Sequence, residues 1–196
     1  MNNRRRHIPS TWPYPHHPTG PNDELFGGHP YFERHMYISR AQVKFDVSCQ
    51  ASAIAKTRRT PDGKEDNSLT DITEQYGGML DRWISKYVNL AKGRMAAYIL
   101  EPHRRVGNNA LEQEDEIDIE LQVPDFWDDT VWEPLCQAVH DYIVNGIMYE
   151  LFALILPPKE HIINVKREDM DMSFADIKTY ICASKPGSVH KPLQPF

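Results

Sequence analysis

The sequence predicts an α+β domain in which long helices pack with a small antiparallel β element. Three observations carry this. Two stretches, 41–55 and 116–123, alternate apolar and polar residues with a period of two. Three longer stretches, 70–100, about 130–156 and about 159–184, repeat apolar residues at three- and four-residue spacing. The composition, 40% hydrophobic and 26% charged over 196 residues, suits one globular domain with some length left over. The expected order is arm, then β-α-β-α-α, then a short tail.

The excess length lies at the start. Six of the fifteen prolines (Pro9, Pro13, Pro15, Pro18, Pro21 and Pro30) fall in the first 30 residues. Each fixes its own φ, removes a donor and pushes the preceding residue to extended geometry. Residues 1–38 are therefore expected to form an extended, partly polyproline-like arm. Trp12, Tyr14, Leu25, Phe26, Tyr31 and Phe32 make it too aromatic for a plain linker. Such a segment is expected to pack on its own domain or on a neighbouring subunit. The body is expected at 39–185 and the tail at 186–196.

The first predicted strand is 41–55. Ala41, Val43, Phe45, Val47, Cys49, Ala51, Ala53 and Ala55 share one face, and Gln42, Lys44, Asp46, Ser48, Gln50 and Ser52 the other. A charged loop with the turn signal Pro61-Asp62-Gly63 follows. A long helix is predicted over 70–100, capped by Ser68 or Thr70. Its apolar face is Ile72, Tyr76, Met79, Leu80, Trp83, Tyr87, Leu90, Ala91 and Tyr98, with Gly77-Gly78 as a weak point.

The second strand is predicted at 116–123. Ile117, Ile119, Leu121 and Val123 alternate with Glu116, Asp118, Glu120 and Gln122, and Pro124 stops it. A third element, capped by Asp128, Asp129 or Thr130, is nearly apolar all round and is expected to be the core helix. Pro157-Pro158 ends it. A last helix is predicted with Ile162, Val165, Met172, Phe174, Ile177 and Ile181 inward, ended by Pro186-Gly187.

Charge and motifs exclude more than they identify. The net charge of -6 gives no nucleic-acid signal. Cys49, Cys136 and Cys182 are odd in number and lack metal-ligand spacing, so buried free thiols are expected. No apolar region follows Arg4-Arg5-Arg6, so no secretory signal is expected. The apolar stretch 142–156 is too short for a membrane span. Nine histidines are many, but His16-His17 has no completing ligands, and His140-Asp141 are helix neighbours that do not face each other. No nucleophile elbow, zinc-protease motif or phosphate loop is present. No catalytic, metal or cofactor residue is expected, and the chain is not expected to be an enzyme.

Four segments together resemble the short neck proteins of tailed bacteriophages, especially gut phages of Bacteroidales including the crAss-like group. They are the alternating run Val43–Ile54 with Ala55-Lys56, the segment Ile117–Asp125, the run His140–Leu151 and the ending Lys185–Phe196. The resemblance covers about 41–196. It implies a virion structural protein, a head–tail connector forming a closed homo-oligomeric ring in the neck, commonly a dodecamer. Its implied partners are the portal, adjacent neck or tail rings and viral DNA passing through the lumen without sequence recognition. It implies no cofactor, no membrane, and synthesis in the host cytoplasm. Family members often lack so long a Pro-rich arm, so the arm's role does not follow from the resemblance.

The residues fit an assembly role. Two strands alone are marginal and can pair across subunits. The interface residues expected are Trp12, Tyr14, Phe26, Tyr31, Phe32, Val43, Phe45, Ile117, Ile119 and Phe196. A different class, a small DNA- or protein-binding regulatory adaptor, would use Arg58-Arg59 and Arg104-Arg105 on phosphate.

Overall fold

The computed structural model describes residues 31–57, 72–99, 115–157 and 160–186. The order of elements is β1 (Tyr31–Ser39), α1 (Arg40–Thr57), α2 (Ile72–Arg94), β2 (Glu116–Pro124), α3 (Trp132–Ile155) and α4 (His161–Ile181). Single 3-10 turns follow α2 at Ala96–Tyr98 and precede α3 at Asp129–Val131. Among the described residues the class is α+β, with four helices and one two-stranded antiparallel sheet.

The sheet runs in one unbroken register, Tyr31 opposite Pro124 through Ser39 opposite Glu116. Alternation places Met36 and Ile38 of β1 inward with Ile119, Leu121 and Val123 of β2. The first strand is thus eight residues of the expected arm plus Ser39, and it belongs to the core of the folded body. The strand at 116–123 is where the sequence placed it. Gln122, expected outside, is buried at that strand's end.

Residues 41–55 are helix, not strand. The expectation failed for a geometric reason. The buried residues Val43, Val47, Ala51 and Ala55 are four apart. A spacing of four keeps one face of a strand and also one ridge of a helix. The residues between them, Ala41, Phe45, Cys49 and Ala53, are all exposed, which no single strand face permits. Ser39 starts the helix: its hydroxyl accepts the backbone N–H of Gln42 at 3.3 Å.

α3 is the central helix, as expected. It lies against α4 along most of its length and also touches α2 and α1. Leu135, Val139, Ile143, Ile147, Leu151 and Phe152 are fully buried on it. Asp128 caps its entry, accepting the N–H of Thr130 at 3.0 Å and its hydroxyl at 2.7 Å. α2 is continuous through Gly77-Gly78 and ends at Arg94, short of the expected 100. Leu90 and Met79, expected inward, face solvent, as does Met172 of α4. The wider apolar count overstated those faces, because α2 and α4 each bury only one stripe.

Trp127 closes the far end. It is 2% exposed, donates its indole N–H to the Tyr180 carbonyl at 3.1 Å, and lies edge-on to Trp132. An isolated bridge joins it to Ser184, so the exit of β2 and the end of α4 are tied together.

Candidate functional site

α1 carries two apolar ridges on opposite sides. Successive helix residues turn by about 100°, so two rows offset by two residues point roughly 200° apart. One row, Val43, Val47, Ala51 and Ala55, seats the helix in the core. The other, Ala41, Phe45, Cys49 and Ala53, faces outward, with Phe45 62% exposed. Exposed single apolar residues are ordinary, whereas four in line on one helix form a contact strip.

The polar residues between the ridges hold α1 in place. Asp46 accepts from Gln42 at 3.1 Å and pairs with His140 of α3 at 2.9 Å. Lys44 pairs with Asp81 of α2 at 2.7 Å, and Ser48 shares a 2.7 Å hydrogen bond with Thr73. Lys166 of α4 is largely buried and donates to Gln50 at 3.2 Å, Asn145 at 3.1 Å and Asp169 at 3.2 Å. These bonds reach from α1 to every other long helix. They fix the rotation of α1 and thereby keep Phe45 outward. His140 thus serves to orient α1, through Asp46 and not through its neighbour Asp141.

The outer face of the sheet is the second surface. β1 presents Glu33, His35 and Tyr37; β2 presents Glu116, Asp118 and Glu120. His35 is held by the Asp118 carboxylate at 2.9 Å and stacks on Tyr37 at 6.1 Å between ring centres. The Asp118 hydrogen bond, followed by the charges of Asp118, Glu120 and Glu33, raises the His35 pKa above its ordinary value. Tyr37 is 62% exposed. An acidic surface with an aromatic on it repels phosphate and leaves one ring for packing.

The expected interface residues divide three ways. Trp12, Tyr14, Phe26 and Phe196 lie outside the described residues. Phe32 and Phe45 are exposed, and Tyr31 and Ile117 are half-buried. Val43 and Ile119 are sealed in the core and are not part of any surface. Val43 was grouped with Phe45 because the strand reading put neighbours two apart on one face, whereas Ile119 does share a strand face with Ile117, and that face is the core side of β2. Ala41, Cys49 and Ala53 were missed as a surface row, although the four-residue spacing that reveals them is present in the sequence. His35 and Tyr37 were missed because the arm was taken to run through 38.

Among the described residues, no group of three or more His, Cys, Asp or Glu side chains is arranged to hold a metal ion. No described helix is long and apolar enough to cross a membrane. Comparison with family models, curated proteins and solved structures returns no match.

Proposed function

We propose that the chain is a virion structural protein, one subunit of a ring in the neck of a tailed bacteriophage that joins the portal to the tail. The observation that carries the reading is the outward ridge of α1. It is an apolar strip on a helix whose other side is already committed to the core. A ring closes through heterologous contacts, so each copy must present a strip that some other surface of the next copy covers. The resemblance of 41–196 to phage neck proteins points the same way.

Support for a DNA-passing lumen comes from charge. A net charge of -6 and the carboxylates Glu116, Asp118 and Glu120 on the sheet suit a wall that does not grip phosphate. Twelve-fold symmetry, the portal and the adjacent rings as partners, and residence in the virion neck belong to this proposal.

The test is assembly of the full chain, measured by light scattering after size exclusion and by electron microscopy. Closed rings, alone or on the portal, are expected. A monomer under both conditions, with a DNA complex that dissolves in salt, would overturn the ring and favour a regulatory adaptor.

A further inference from the structure

We infer that the outward ridge of α1 is the docking strip for the Pro/aromatic segment around Trp12 and Tyr14 of the neighbouring copy. This rests on the ring reading and names the contact that closes it. Three observations carry the assignment.

The first is shape. On the ridge, Phe45 stands between Ala41 and the short residues Cys49 and Ala53. A bulky ring flanked by small side chains leaves shallow notches one helical turn to either side. Flat aromatic side chains fill such notches at low entropic cost.

The second is chemical match. Positions 41, 45, 49 and 53 carry no charge; beside the first three, Lys44 is paired with Asp81 and Asp46 with His140, and Lys56 stands exposed beyond Ala53 at the end of the strip. Residues 8–21 hold Trp12, Tyr14 and five prolines with no Asp, Glu, Lys or Arg. Docking over Ala41, Phe45 and Cys49 therefore buries no carboxylate, ammonium or guanidinium from the segment and none on the strip that lacks a partner. A proline-rich segment also has less conformational freedom to lose on binding.

The third is reach. Trp12 precedes the start of β1 at Tyr31 by a stretch whose extended length is about 60 Å. β1 is about 30 Å long and the ridge from Ala41 to Ala53 about 18 Å. The segment can thus leave its own subunit and lie along the strip of the next. Donor segment and acceptor strip are different surfaces of one chain, as a heterologous contact requires.

Cys49 sits on the strip and is exposed, so it reports the contact directly. The experiment uses the full chain carrying Thr11→Cys, which keeps Trp12 and Tyr14, mixed as isotope-labelled and unlabelled protein, assembled, and oxidised mildly. Peptide mapping is expected to find a disulfide between the introduced thiol and Cys49 that joins labelled to unlabelled copies. Adding Phe45→Ser is expected to lower its yield about tenfold, as loss of an aromatic anchor does. Circular dichroism confirms that each variant keeps its helices. Rings that form with no such disulfide, a disulfide confined within single chains, or a yield indifferent to Phe45→Ser would each overturn the docking while leaving the ring intact. A monomer throughout would overturn the ring itself, and the docking with it.

Discussion

Gly146 of α3 lies directly against the ring of Tyr87 of α2, and a β-carbon at 146 would overlap that ring. Tyr87 is buried, meets Tyr142 edge-on at 5.5 Å between centres, and donates its hydroxyl to Glu150 at 3.2 Å. Lys86 pairs with the same carboxylate. Burial, then the Glu150 charge, pushes the Tyr87 hydroxyl well above its ordinary pKa, so it stays a neutral donor. The missing side chain at 146 is what lets α2 and α3 approach. Gly146→Ala would gain up to about 1 kcal/mol in helix propensity. Overpacking of about 1–3 kcal/mol opposes that, and is expected to win because the obstacle is a whole ring and not a flexible tip. Chemical denaturation of Gly146→Ala, alone and with Tyr87→Leu, checks this. The alanine should be harmful beside tyrosine and much less so, or favourable, beside leucine.

Val47 and Phe45 supply the sharpest test of α1. On a strand they would share a face. On the helix, Val47 is fully buried and Phe45 is 62% exposed. Val47→Ala is expected to destabilise the monomeric fold by about 1–2 kcal/mol through cavity formation. Phe45→Ala is expected to change it by no more than about 0.5 kcal/mol, as surface substitutions do. Equal losses at the two positions would restore the strand.

Much of the fold was legible because the burial pattern of most elements follows one period. In β2, Ile117, Ile119, Leu121 and Val123 alternate with Glu116, Asp118, Glu120 and Gln122, and the β-branched residues favour a strand for that pattern. α3 has too many apolar residues for anything but a central helix. α1 was not legible, since its two apolar ridges sum to a period of two while each ridge keeps a helical spacing. β1 was hidden differently. Tyr31–Ser39 follows a proline-rich run, and its inward residues Met36 and Ile38 are too few to stand out until β2 pairs with them. The outward strip was written in the sequence, but telling outward from inward required knowing that the inner ridge was already satisfied.

Trp127 is expected to be the largest single contributor at the sheet-to-helix junction. Trp127→Ala should cost about 3–5 kcal/mol, the range for removing a buried aromatic. Trp127→Phe keeps most of the ring but leaves the Tyr180 carbonyl without its indole donor, at a cost of about 1 kcal/mol for the hydrogen bond. Thermal unfolding of both variants separates packing from hydrogen bonding. Similar losses for the two would assign the whole effect to the hydrogen bond.

Cys49 and Cys136 are expected to differ in reactivity. Cys49 is exposed on the strip of α1. Cys136 is half-buried, and desolvation followed by the Glu133 charge pushes its thiol up to about 11. Thiolate is the reacting form, so at pH 8 Cys136 should alkylate far more slowly. Mass spectrometry of a timed iodoacetamide reaction on the unassembled chain reads this directly. Faster modification of Cys136 than of Cys49 would contradict the packing of α3.

The sheet surface is expected to respond to pH through His35. Its pKa is raised in the folded chain, first by the hydrogen bond to Asp118 and then by the charges of Asp118, Glu120 and Glu33. A raised folded pKa means that the protonated His35–Asp118 pair favours the fold. That contribution is fully present below the ordinary value of 6.5 and disappears as pH rises through the raised folded value. The group is exposed, so the effect on overall stability is small and salt-sensitive. The titration itself is the better readout. Proton NMR of the imidazole should place the His35 midpoint above 6.5, and Asp118→Asn should bring it most of the way back. Glu120→Gln should lower it less, since Glu120 acts only through its charge. A midpoint indifferent to Asp118→Asn would mean that the two side chains do not meet in solution. The antiparallel register that sets Tyr37 opposite Asp118 would then need to be redrawn.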